Sequence, residues 1–199
     1  MNTTEKTQAL KEMIASTGSM LISYSGGVDS ALLAVLATEV LGSNARCILL
    51  DSPVVPRAAI AEARQIAEEF SLQMEIIPVS VMDDERFTKN PSERCYWCKK
   101  KSAEVLKWKK EALHFACIAD GINLSDKEEH RPGLLASTEE GISHPFLDAG
   151  ITKAEIREIA QAKGLPFWNK PSAACLSSRI PYGDEITNKK LAMIEEAEA

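Results

Sequence analysis

The stretch Ser25-Gly26-Gly27-Val28-Asp29-Ser30 decides the fold of this chain. It follows a short apolar run that ends at Tyr24, and it leads into residues 28–41, which are apolar almost throughout. Two adjacent glycines allow a tight turn and a close approach of the backbone to a ligand. The first turn of a helix offers unpaired amides and the positive end of the helix dipole. The stretch therefore predicts a phosphate-binding turn between a strand and a helix.

Two better-known phosphate-binding patterns are absent from the sequence. The chain has neither a G-x-x-x-x-G-K-[ST] loop nor a G-x-G-x-x-G dinucleotide fingerprint. Ser25 and Ser30 add hydroxyl donors to the predicted turn. The alternative is an ordinary strand-to-helix turn, in which Asp29 is only an acidic residue of the first helical turn.

Strands and helices alternate outward from this turn. The patterning predicts helices at 4–17, 28–41, from 56 and at about 94–111, and strands at 19–24, 46–50, 73–79 and 115–119. Thr152 and Glu155 form a capping-box signature for a further helix that ends at Gly164. Parallel strands need crossover connections, which cover the sheet with helices. We therefore predict an α/β fold, a parallel sheet flanked by helices, with ligands bound beyond the carboxyl ends of the strands.

Composition restricts the classes of partner. The chain has 199 residues, 45% of them hydrophobic, and a formal net charge of -6, which argues against nucleic acid or an anionic membrane as its main partner. No apolar run approaches the ~20 residues of a membrane span, and the first residues lack the order of a signal peptide. Five cysteines, an odd number, argue against a disulfide framework. We therefore expect a cytoplasmic protein.

The loop around Cys175 predicts an accessible thiol. Small residues at 172–174 leave the sulfur open to solvent, and Arg179, four residues later, would favour the thiolate. The alternative is a buried structural cysteine, the usual fate of a free one. Cys47 and Cys117 lie inside apolar strands, and for them the core interpretation is the stronger.

Cys95 and Cys98 form a C-x-x-C pair at the start of a basic helix, where the helix dipole would stabilise thiolates. Alone, such a pair leaves zinc, redox and iron-sulfur roles open. Residues 94–110 hold seven basic residues against one acid. This pattern is usually a solvated helix face, and the alternatives are guidance of an anionic nucleotide and contact with tRNA.

Several motifs resemble known families. The stretch 25–30 matches the SGGxDS signature of the N-type ATP pyrophosphatases, or PP-loop ATPases, whose domain is adenine-nucleotide alpha-hydrolase-like. Four further motifs resemble the LarE family of sacrificial sulfur transferases in nickel-pincer nucleotide cofactor biosynthesis. They are Arg94-Cys95-Tyr96-Trp97-Cys98-Lys99, Asp120-Gly121-Ile122-Asn123, Arg131-Pro132-Gly133 and the run from Ala174 to Gly183. The likeness covers nearly the whole chain, although Glu129-His130 stands where the family carries an aspartate.

The resemblance implies AMP-forming activation of a carboxylate by ATP, followed by sulfur transfer. The implied substrate is a small-molecule nucleotide, a pyridinium dicarboxylate mononucleotide, whose carboxylate attacks the α-phosphate and releases pyrophosphate. Cys175 then supplies or relays sulfur by attacking the acyl adenylate. The implied cofactors are ATP and Mg²⁺, with Asp29 as the candidate magnesium ligand. Cys95, Cys98 and Cys175 resemble the ligands of cluster-bearing members, which hold a [4Fe-4S] cluster with one non-protein ligand, and a redox disulfide stays the alternative.

The nucleotide-binding residues expected from this resemblance follow the ends of the strands. The main chain around Asp51 and Ser52 would receive adenine, while Gly121, Asn123 and Arg131 would line the ribose and phosphate side. The full expected set is Ser25, Gly26, Gly27, Asp29, Ser30, Asp51, Ser52, Gly121, Asn123, Arg131 and Arg179.

Residues 1–183 are expected to form the PP-loop domain, and residues 184–199 to begin a C-terminal helical region that is truncated here. Members of the family continue further, with residues that complete the acyl-substrate site and the oligomer contacts, so a homo-oligomer is implied. Two alternatives remain open. One is a tRNA thiolation enzyme of the same superfamily, which would need a large basic face or an RNA-binding module, and the other is a nucleotide-binding module without turnover.

Overall fold

A computed structural model describes residues 2–128 and 132–198. In these two ranges the α-helices are α1 (Thr3–Thr17), α2 (Val28–Leu41), α3 (Arg57–Glu69), α4 (Glu85–Thr88), α5 (Arg94–Leu113), α6 (Pro132–Glu139), α7 (Pro145–Asp148), α8 (Lys153–Ala162) and α9 (Asn188–Glu198). The strands are β1 (Met20–Tyr24), β2 (Ala45–Asp51), β3 (Met74–Pro78) and β4 (Cys117–Ala119). Short 3₁₀ turns lie at Gly42–Asn44, Leu124–Glu128, Pro166–Asn169 and Leu176–Arg179.

The four strands form one parallel sheet in the order β3-β2-β1-β4. In the register, Ile22 of β1 lies between Cys47 of β2 and Ala119 of β4. Beyond β4, Ser143 makes an isolated parallel bridge to Ala119. The predicted α/β class, with a parallel sheet flanked by helices, is confirmed.

The strongest apolar run of the sequence forms the centre of the fold. In α2 the residues from Ala31 to Ala37 are all buried, because this helix packs against the sheet and is covered by α1 and α8. Amphipathic α3 turns Ile60, Ala63 and Ala67 toward the same core. The capping box predicted at Thr152 is present at the start of α8. This main core fixes the position of the turn between β1 and α2.

A second and smaller core lies under the cysteine-bearing loop. Its buried members come from chain segments that are far apart in sequence, and they are Val54, Val81, Phe87, Leu176, Ile180, Ile186 and Leu191. Leu191 belongs to α9, so this helix packs on the loop that carries Cys175. The division of the chain at residues 183 and 184 stays a prediction.

Within the described part of the chain, no helix is both long enough and apolar enough to cross a membrane.

Candidate active site

The turn at 25–30 has the geometry of an anion-binding loop at a helix start. Gly27 is the N-cap of α2, and no side chain bonds its first amides. The hydroxyls of Ser25 and Ser30 lie 3.1 Å apart, and Ser30 Oγ accepts from the Ser25 amide at 3.1 Å. The two hydroxyls thus lie close together near main-chain amides that are free to donate hydrogen bonds to phosphate oxygens.

The two glycines of the turn lie in different surroundings. Gly26 has φ +72°, and a Cβ there would lie 2.4 Å from the Cβ of Ala63 and 2.7 Å from its Cα. At Gly27 an added Cβ would meet only Ser25 Oγ, at 3.5 Å, which is ordinary contact. The protein itself therefore requires glycine at Gly26, whereas at Gly27 the space is left for a ligand.

A cavity of about 680 Å³ opens between this turn and the end of β4. It lies beyond the carboxyl ends of the strands, where the fold class predicts a ligand. The lining residues are Ser23, Ser25, Gly27, Asp29, Ser30, Lys99, Asp120, Gly121, Ile122, Asn123, Ser125, Asp126, Lys153, Ser172 and Ala173. Six residues of the predicted nucleotide set are therefore brought together: Ser25, Gly27, Asp29, Ser30, Gly121 and Asn123.

Asp29 and Lys153 form an ion pair inside this cavity, with Lys153 Nζ 2.5 Å from Asp29 Oδ2. Burial raises the pKa of the Asp29 carboxyl, and the hydrogen bond from Lys153 opposes that rise. Asp29 Oδ1 is buried and has no hydrogen-bond partner among the described residues. A buried carboxylate oxygen left free in this way fits a hard cation such as Mg²⁺.

Two lysines that line the cavity, Lys153 and Lys99, are not in the set of binding residues predicted from the sequence. Lys153 directly follows Thr152, the cap of α8, so the capping box was a signal that this residue begins a helix near the strand ends. Lys99 follows Cys98 within a quoted motif, and it pairs with no carboxylate of the described ranges. Both place positive charge where an anionic nucleotide would lie.

The turn after β4 packs against the phosphate loop. A Cβ at Gly121 would lie 2.8 Å from the Ser30 amide nitrogen and 2.9 Å from Asp29 Cβ, so no side chain fits there. The Asn123 amide donates to Asp126 Oδ2 at 2.9 Å, which holds the following turn in shape. The close approach of this turn to Asp29 and Ser30 explains why position 121 is a glycine.

A second cavity of about 360 Å³ continues the first toward Cys175. The residues that line both cavities are Ser25, Gly27, Asp29, Lys153, Ser172 and Ala173. Because these residues are shared, the phosphate loop and the Cys175 loop border one groove.

The three predicted metal-binding cysteines are near one another. Cys95 and Cys98 lie in the first two turns of α5, and each interacts electrostatically with Cys175. Burial raises the pKa of Cys98 to about 11 and that of Cys95 above its usual value, the reverse of the thiolate stabilisation expected from the helix dipole. Desolvation outweighs the dipole here. In residues 2–128 and 132–198, no three His, Cys, Asp or Glu side chains form a group that could hold a single metal ion.

Arg179 is bonded to the main chain of the cysteine loop and interacts electrostatically with Cys175. Its guanidinium pairs with Glu198 of α9 at 2.7 Å and donates to the main-chain oxygens of Ala174 and Cys175 at 3.1 and 3.2 Å. The sulfur of Cys175 instead lies 3.0 Å from the hydroxyl of Ser177. No hydrogen bond of Arg179 within the described residues goes to the sulfur, although the two groups interact electrostatically, so both the promotion of the thiolate by Arg179 and its role in cofactor binding stay predictions.

Other predicted binding residues lie away from the two cavities. The Asp51 carboxylate is bound by Arg57, and the Ser52 carbonyl oxygen also accepts from Arg57, at 2.7 Å. Neither lines the groove, so their contact with adenine stays a prediction. Gly26 packs closely against Ala63 of α3 and lines neither cavity. Arg131 lies outside the described residues.

The basic helix α5 is largely neutralised by its neighbours. Lys100 bridges Glu139 and Glu140 at 2.9 and 2.6 Å, and Lys107 also binds Glu140. Lys109 pairs with Glu75 at 2.6 Å. The arrangement fits a solvated, ion-paired face, and it does not favour the tRNA alternative.

Comparison with known sequences agrees with the motifs. The profile of the NAD synthase family matches residues 3–101. An uncharacterized protein of Synechocystis sp. is 39% identical over 193 residues, which cover 97% of this chain and 72% of that protein. Pyridinium-3,5-bisthiocarboxylic acid mononucleotide synthase of Lactiplantibacillus plantarum, a LarE enzyme, is 30% identical over 178 residues, which cover 89% of this chain and 64% of the synthase.

Solved structures agree on the fold. The NH3-dependent NAD synthetase of Campylobacter jejuni aligns with a TM-score of 0.68 at 17% identity, over 98% of this chain and 93% of that one. NMN synthetase of Francisella tularensis aligns with a TM-score of 0.69 at 14% identity, over 100% of this chain and 94% of that one. Both similarities concern the fold alone, that of the PP-loop ATPases.

The family match and the curated relatives indicate an ATP-using enzyme of the PP-loop class. The chain belongs to the PP-loop family of ATP pyrophosphatases, and within that family it is a homologue of the LarE synthase, as the sequence motifs predicted.

Proposed function

We propose that the protein uses ATP to activate a carboxylate of a pyridinium dicarboxylate mononucleotide and then transfers sulfur to the activated group, a reaction of nickel-pincer nucleotide cofactor biosynthesis. The observation that carries this proposal is the continuous groove between the phosphate loop and Cys175. An acyl adenylate formed at the loop could therefore be reached by the sulfur without leaving the groove. The homology to a bisthiocarboxylic acid mononucleotide synthase supports the choice of substrate.

The first half-reaction is assigned to the phosphate loop. Free amides at the start of α2, with the hydroxyls of Ser25 and Ser30, would hold the leaving pyrophosphate as its charge develops. Lys153 and Lys99, which line the cavity, add positive charge that would favour an anionic ligand. When magnesium is bound, it neutralises phosphate charge, and Asp29 is the residue that would hold it through its free oxygen.

The adenosine side of the site rests on the turns after β2 and β4. The main chain at 50–52 would contact adenine, and Gly121 and Asn123 would border ribose. The resemblance also assigns Arg131, which lies outside the described residues, to the ribose and phosphate side. These three assignments follow the family resemblance.

The second half-reaction has two routes that differ in the origin of the sulfur. In the sacrificial route, the Cys175 thiolate attacks the acyl adenylate, a thioester forms and AMP leaves. Elimination then transfers the α-proton of Cys175 to a base and breaks its Cβ–S bond, which yields a thiocarboxylate and dehydroalanine.

In the cluster route, Cys95, Cys98 and Cys175 would hold a [4Fe-4S] cluster, which would supply sulfide to the acyl adenylate so that AMP leaves and a thiocarboxylate forms. The electrostatic interactions of Cys95 and Cys98 with Cys175 support this route, whereas in residues 2–128 and 132–198 no three such side chains form a group that could hold a single metal ion. We favour this route, because the sacrificial route leaves Cys95 and Cys98 without a role. Burial raises the pKa of both thiols, so binding of the metal would have to drive their deprotonation.

The decisive experiment measures AMP and pyrophosphate release with pyridinium-3,5-dicarboxylate mononucleotide as acceptor. Nicotinic acid mononucleotide, which has one carboxylate fewer on the ring, is the matched control acceptor. We expect release that depends on the dicarboxylate. ATP binding without release would favour the module without turnover, and release that depends only on tRNA would favour the thiolation enzyme.

The origin of the sulfur is tested by iron analysis and intact mass. Protein prepared without oxygen should be brown and contain about four irons per chain. Single Cys→Ala variants at Cys95, Cys98 and Cys175 should lose iron, whereas Cys47→Ala should retain it. Iron-free protein that transfers sulfur once and loses the mass of one H₂S at Cys175 would overturn the cluster route.

A further inference from the structure

A lysine contacts the phosphate loop from the segment that precedes Cys175. Lys170 Nζ donates to the carbonyl oxygen of Gly26 at 3.0 Å and pairs with Glu62 of α3 at 2.8 Å. The side chain of Lys170 is 20% exposed, and it lines the second cavity together with Cys175. Neither half-reaction proposed above uses this lysine.

The main chain around Lys170 is itself held in place. Arg157 of α8 donates from Nη2 to the Lys170 carbonyl oxygen at 3.1 Å and from Nη1 to the side-chain oxygen of Asn169 at 3.0 Å. The Lys170 amide donates to the carbonyl oxygen of Phe167 at 3.0 Å, within the short 3₁₀ turn. Because α8 packs on α2, the ammonium group reaches the loop from an anchored backbone.

The peptide that Lys170 contacts is the one between Gly26 and Gly27. These are the only two adjacent glycines in the sequence. A peptide between two glycines has no Cβ on either side, so side-chain sterics restrict its rotation only weakly. A hydrogen bond to its carbonyl oxygen can therefore select one orientation of the peptide.

The orientation of this peptide determines where the amide of Gly27 points. In a planar trans peptide the C=O and the N–H point in opposite directions. With the Gly26 carbonyl on Lys170, the Gly27 amide points toward Ser25 Oγ, which lies 3.5 Å away and holds it only weakly. Ser25 Oγ lies 3.1 Å from Ser30 Oγ, and both serines line the first cavity. The amide thus faces the side on which phosphate oxygens would lie.

We propose that Lys170 is a positioning residue of the phosphate loop, which holds the Gly26–Gly27 peptide with its amide toward the phosphates of the nucleotide. The opposite orientation would present a carbonyl oxygen to an anionic ligand and repel it. The positive charge on the carbonyl side also polarises the peptide, which strengthens the amide as a donor. The proposal rests on the proposed function only in taking ATP as the ligand.

The first measurement reports on this one peptide in protein without ligand. When glycine is supplied with a ¹³C carbonyl and a ¹⁵N nitrogen, a carbonyl–amide NMR correlation arises only where one glycine follows another, so the spectrum should contain the Gly26–Gly27 signal alone. Lys170→Met keeps the length of the side chain and removes its donor, and it should shift the Gly26 carbonyl signal upfield. Lys170→Arg keeps donors and charge, and it should leave the signal near its wild-type position.

The second measurement compares ATP with AMP by calorimetry. Lys170→Met should bind ATP about tenfold more weakly, because the amide that would face the leaving pyrophosphate is no longer held. AMP lacks the β- and γ-phosphates and should keep its affinity. Lys170→Arg should retain most of the affinity for ATP.

Lys163→Met is the matched control. Lys163 is 27% exposed and also pairs with a glutamate, Glu39, at 2.6 Å, but it lines neither cavity. This variant should leave the Gly26 signal and both affinities unchanged. Thermal unfolding verifies that each variant is folded, and Lys170→Gln, with a shorter and uncharged side chain, replaces Lys170→Met if that variant does not fold.

A Gly26 carbonyl signal that is unchanged in Lys170→Met overturns the proposal, and so does a shifted signal with wild-type ATP affinity. Equal losses of affinity for ATP and AMP also overturn it, since they would show a general effect on the site. Wild-type protein that binds no ATP overturns the proposed function instead. In that case the Gly26 signal of the ligand-free protein still decides whether Lys170 holds the peptide.

Discussion

The two ends of the groove are built in different ways. At the phosphate end, the 25–30 turn joins a central strand to a helix that is buried along most of its length, and the turn after β4 presses against it. At the cysteine end, Cys175 lies on an irregular loop over the small second core, and Cys95 and Cys98 come from the start of a separate helix. The phosphate end is thus fixed by the main core, whereas the cysteine end depends on contacts between segments far apart in sequence.

This difference separates the chemistry of the two ends. Changes at the phosphate end should affect ATP binding, and at Gly26 the fold as well, because the backbone there packs directly on α3. Changes at the cysteine end should affect sulfur transfer and leave ATP binding intact, because the sheet does not depend on the small core. The following variants test that separation, beginning with the largest expected effect.

Cys175→Ala should abolish sulfur transfer and leave AMP formation with the dicarboxylate nucleotide unchanged. Either sulfur route needs this sulfur atom, whereas the phosphate loop does not touch it. The measurement compares AMP release with thiocarboxylate formation in the same reaction. Cys117→Ala, a half-buried cysteine on β4, is the control and should keep both products. Equal loss of both products in Cys175→Ala would contradict the separation of the two ends.

Gly26→Ala should destabilise the whole protein by about 3 kcal/mol, because the new methyl group strains a left-handed residue and overlaps the backbone of α3. The added Cβ would lie 2.7 Å from the Cα of Ala63, which cannot move without its helix. Denaturant unfolding measures the loss. Gly18→Ala is a suitable control, since Gly18 also has positive φ, +71°, but open space around it. Equal losses in the two variants would show that the contact with α3 contributes nothing.

Gly27→Val should weaken ATP binding by about tenfold with a smaller effect on unfolding than Gly26→Ala. An added Cβ meets only Ser25 Oγ in the free protein, and the branched side chain would occupy the space that phosphate needs. Calorimetry with ATP and denaturant unfolding on the same sample separate the two effects. Wild-type affinity in this variant would remove the loop from the nucleotide site.

Asp29→Asn should weaken the magnesium dependence of ATP binding more than it weakens binding of adenosine. The substitution removes the charge of the carboxylate whose free oxygen fits a hard cation, and it also releases Lys153. Magnesium titrations at fixed ATP concentration measure the effect. Asp148→Asn, an exposed aspartate at the end of α7 that lines neither cavity, is the control. If the two variants titrate alike, Asp29 does not hold the metal.

Much of the phosphate end could be predicted from sequence, because its signals are local. Strand, glycine turn and apolar helix follow one another within residues 20–41, and the helix begins and ends where it was predicted. The partners of that turn could not be predicted in the same way. Lys153 is 124 residues from Asp29, and no local pattern announces their ion pair.

At the cysteine end, local sequence patterns did not predict the surroundings of the functional side chains. The helix-dipole argument for Cys95 and Cys98 considers one helix alone, and it cannot include the burial that the second core imposes. Arg179 stands four residues from Cys175, which suggested a contact with the thiol, but Glu198 on α9 binds its guanidinium. The competing partner comes from the last helix, and nothing near Arg179 in the sequence indicates it.

Of the variants considered, Glu198→Gln should have the smallest effect. It tests how much the ion pair between Arg179 and Glu198 contributes to holding the Cys175 loop in place. Both partners are partly exposed, and such ion pairs contribute little to stability, so the unfolding midpoint should stay within error of the wild type. The released Arg179 is then free to turn toward the sulfur of Cys175 and favour its thiolate. Alkylation of Cys175 by iodoacetamide, followed by peptide mass analysis, should become about two- to threefold faster.

Glu195→Gln provides the control for Glu198→Gln, because Glu195 also lies on α9 but accepts from the Arg57 amide at 2.5 Å. It should leave the alkylation rate of Cys175 unchanged. Faster alkylation in both variants would mean that α9 itself loosens from the second core. An unchanged rate in Glu198→Gln would mean that the main-chain contacts of Arg179 to Ala174 and Cys175 hold it in place without the ion pair, and that the cysteine loop is more rigid than its irregular backbone suggests.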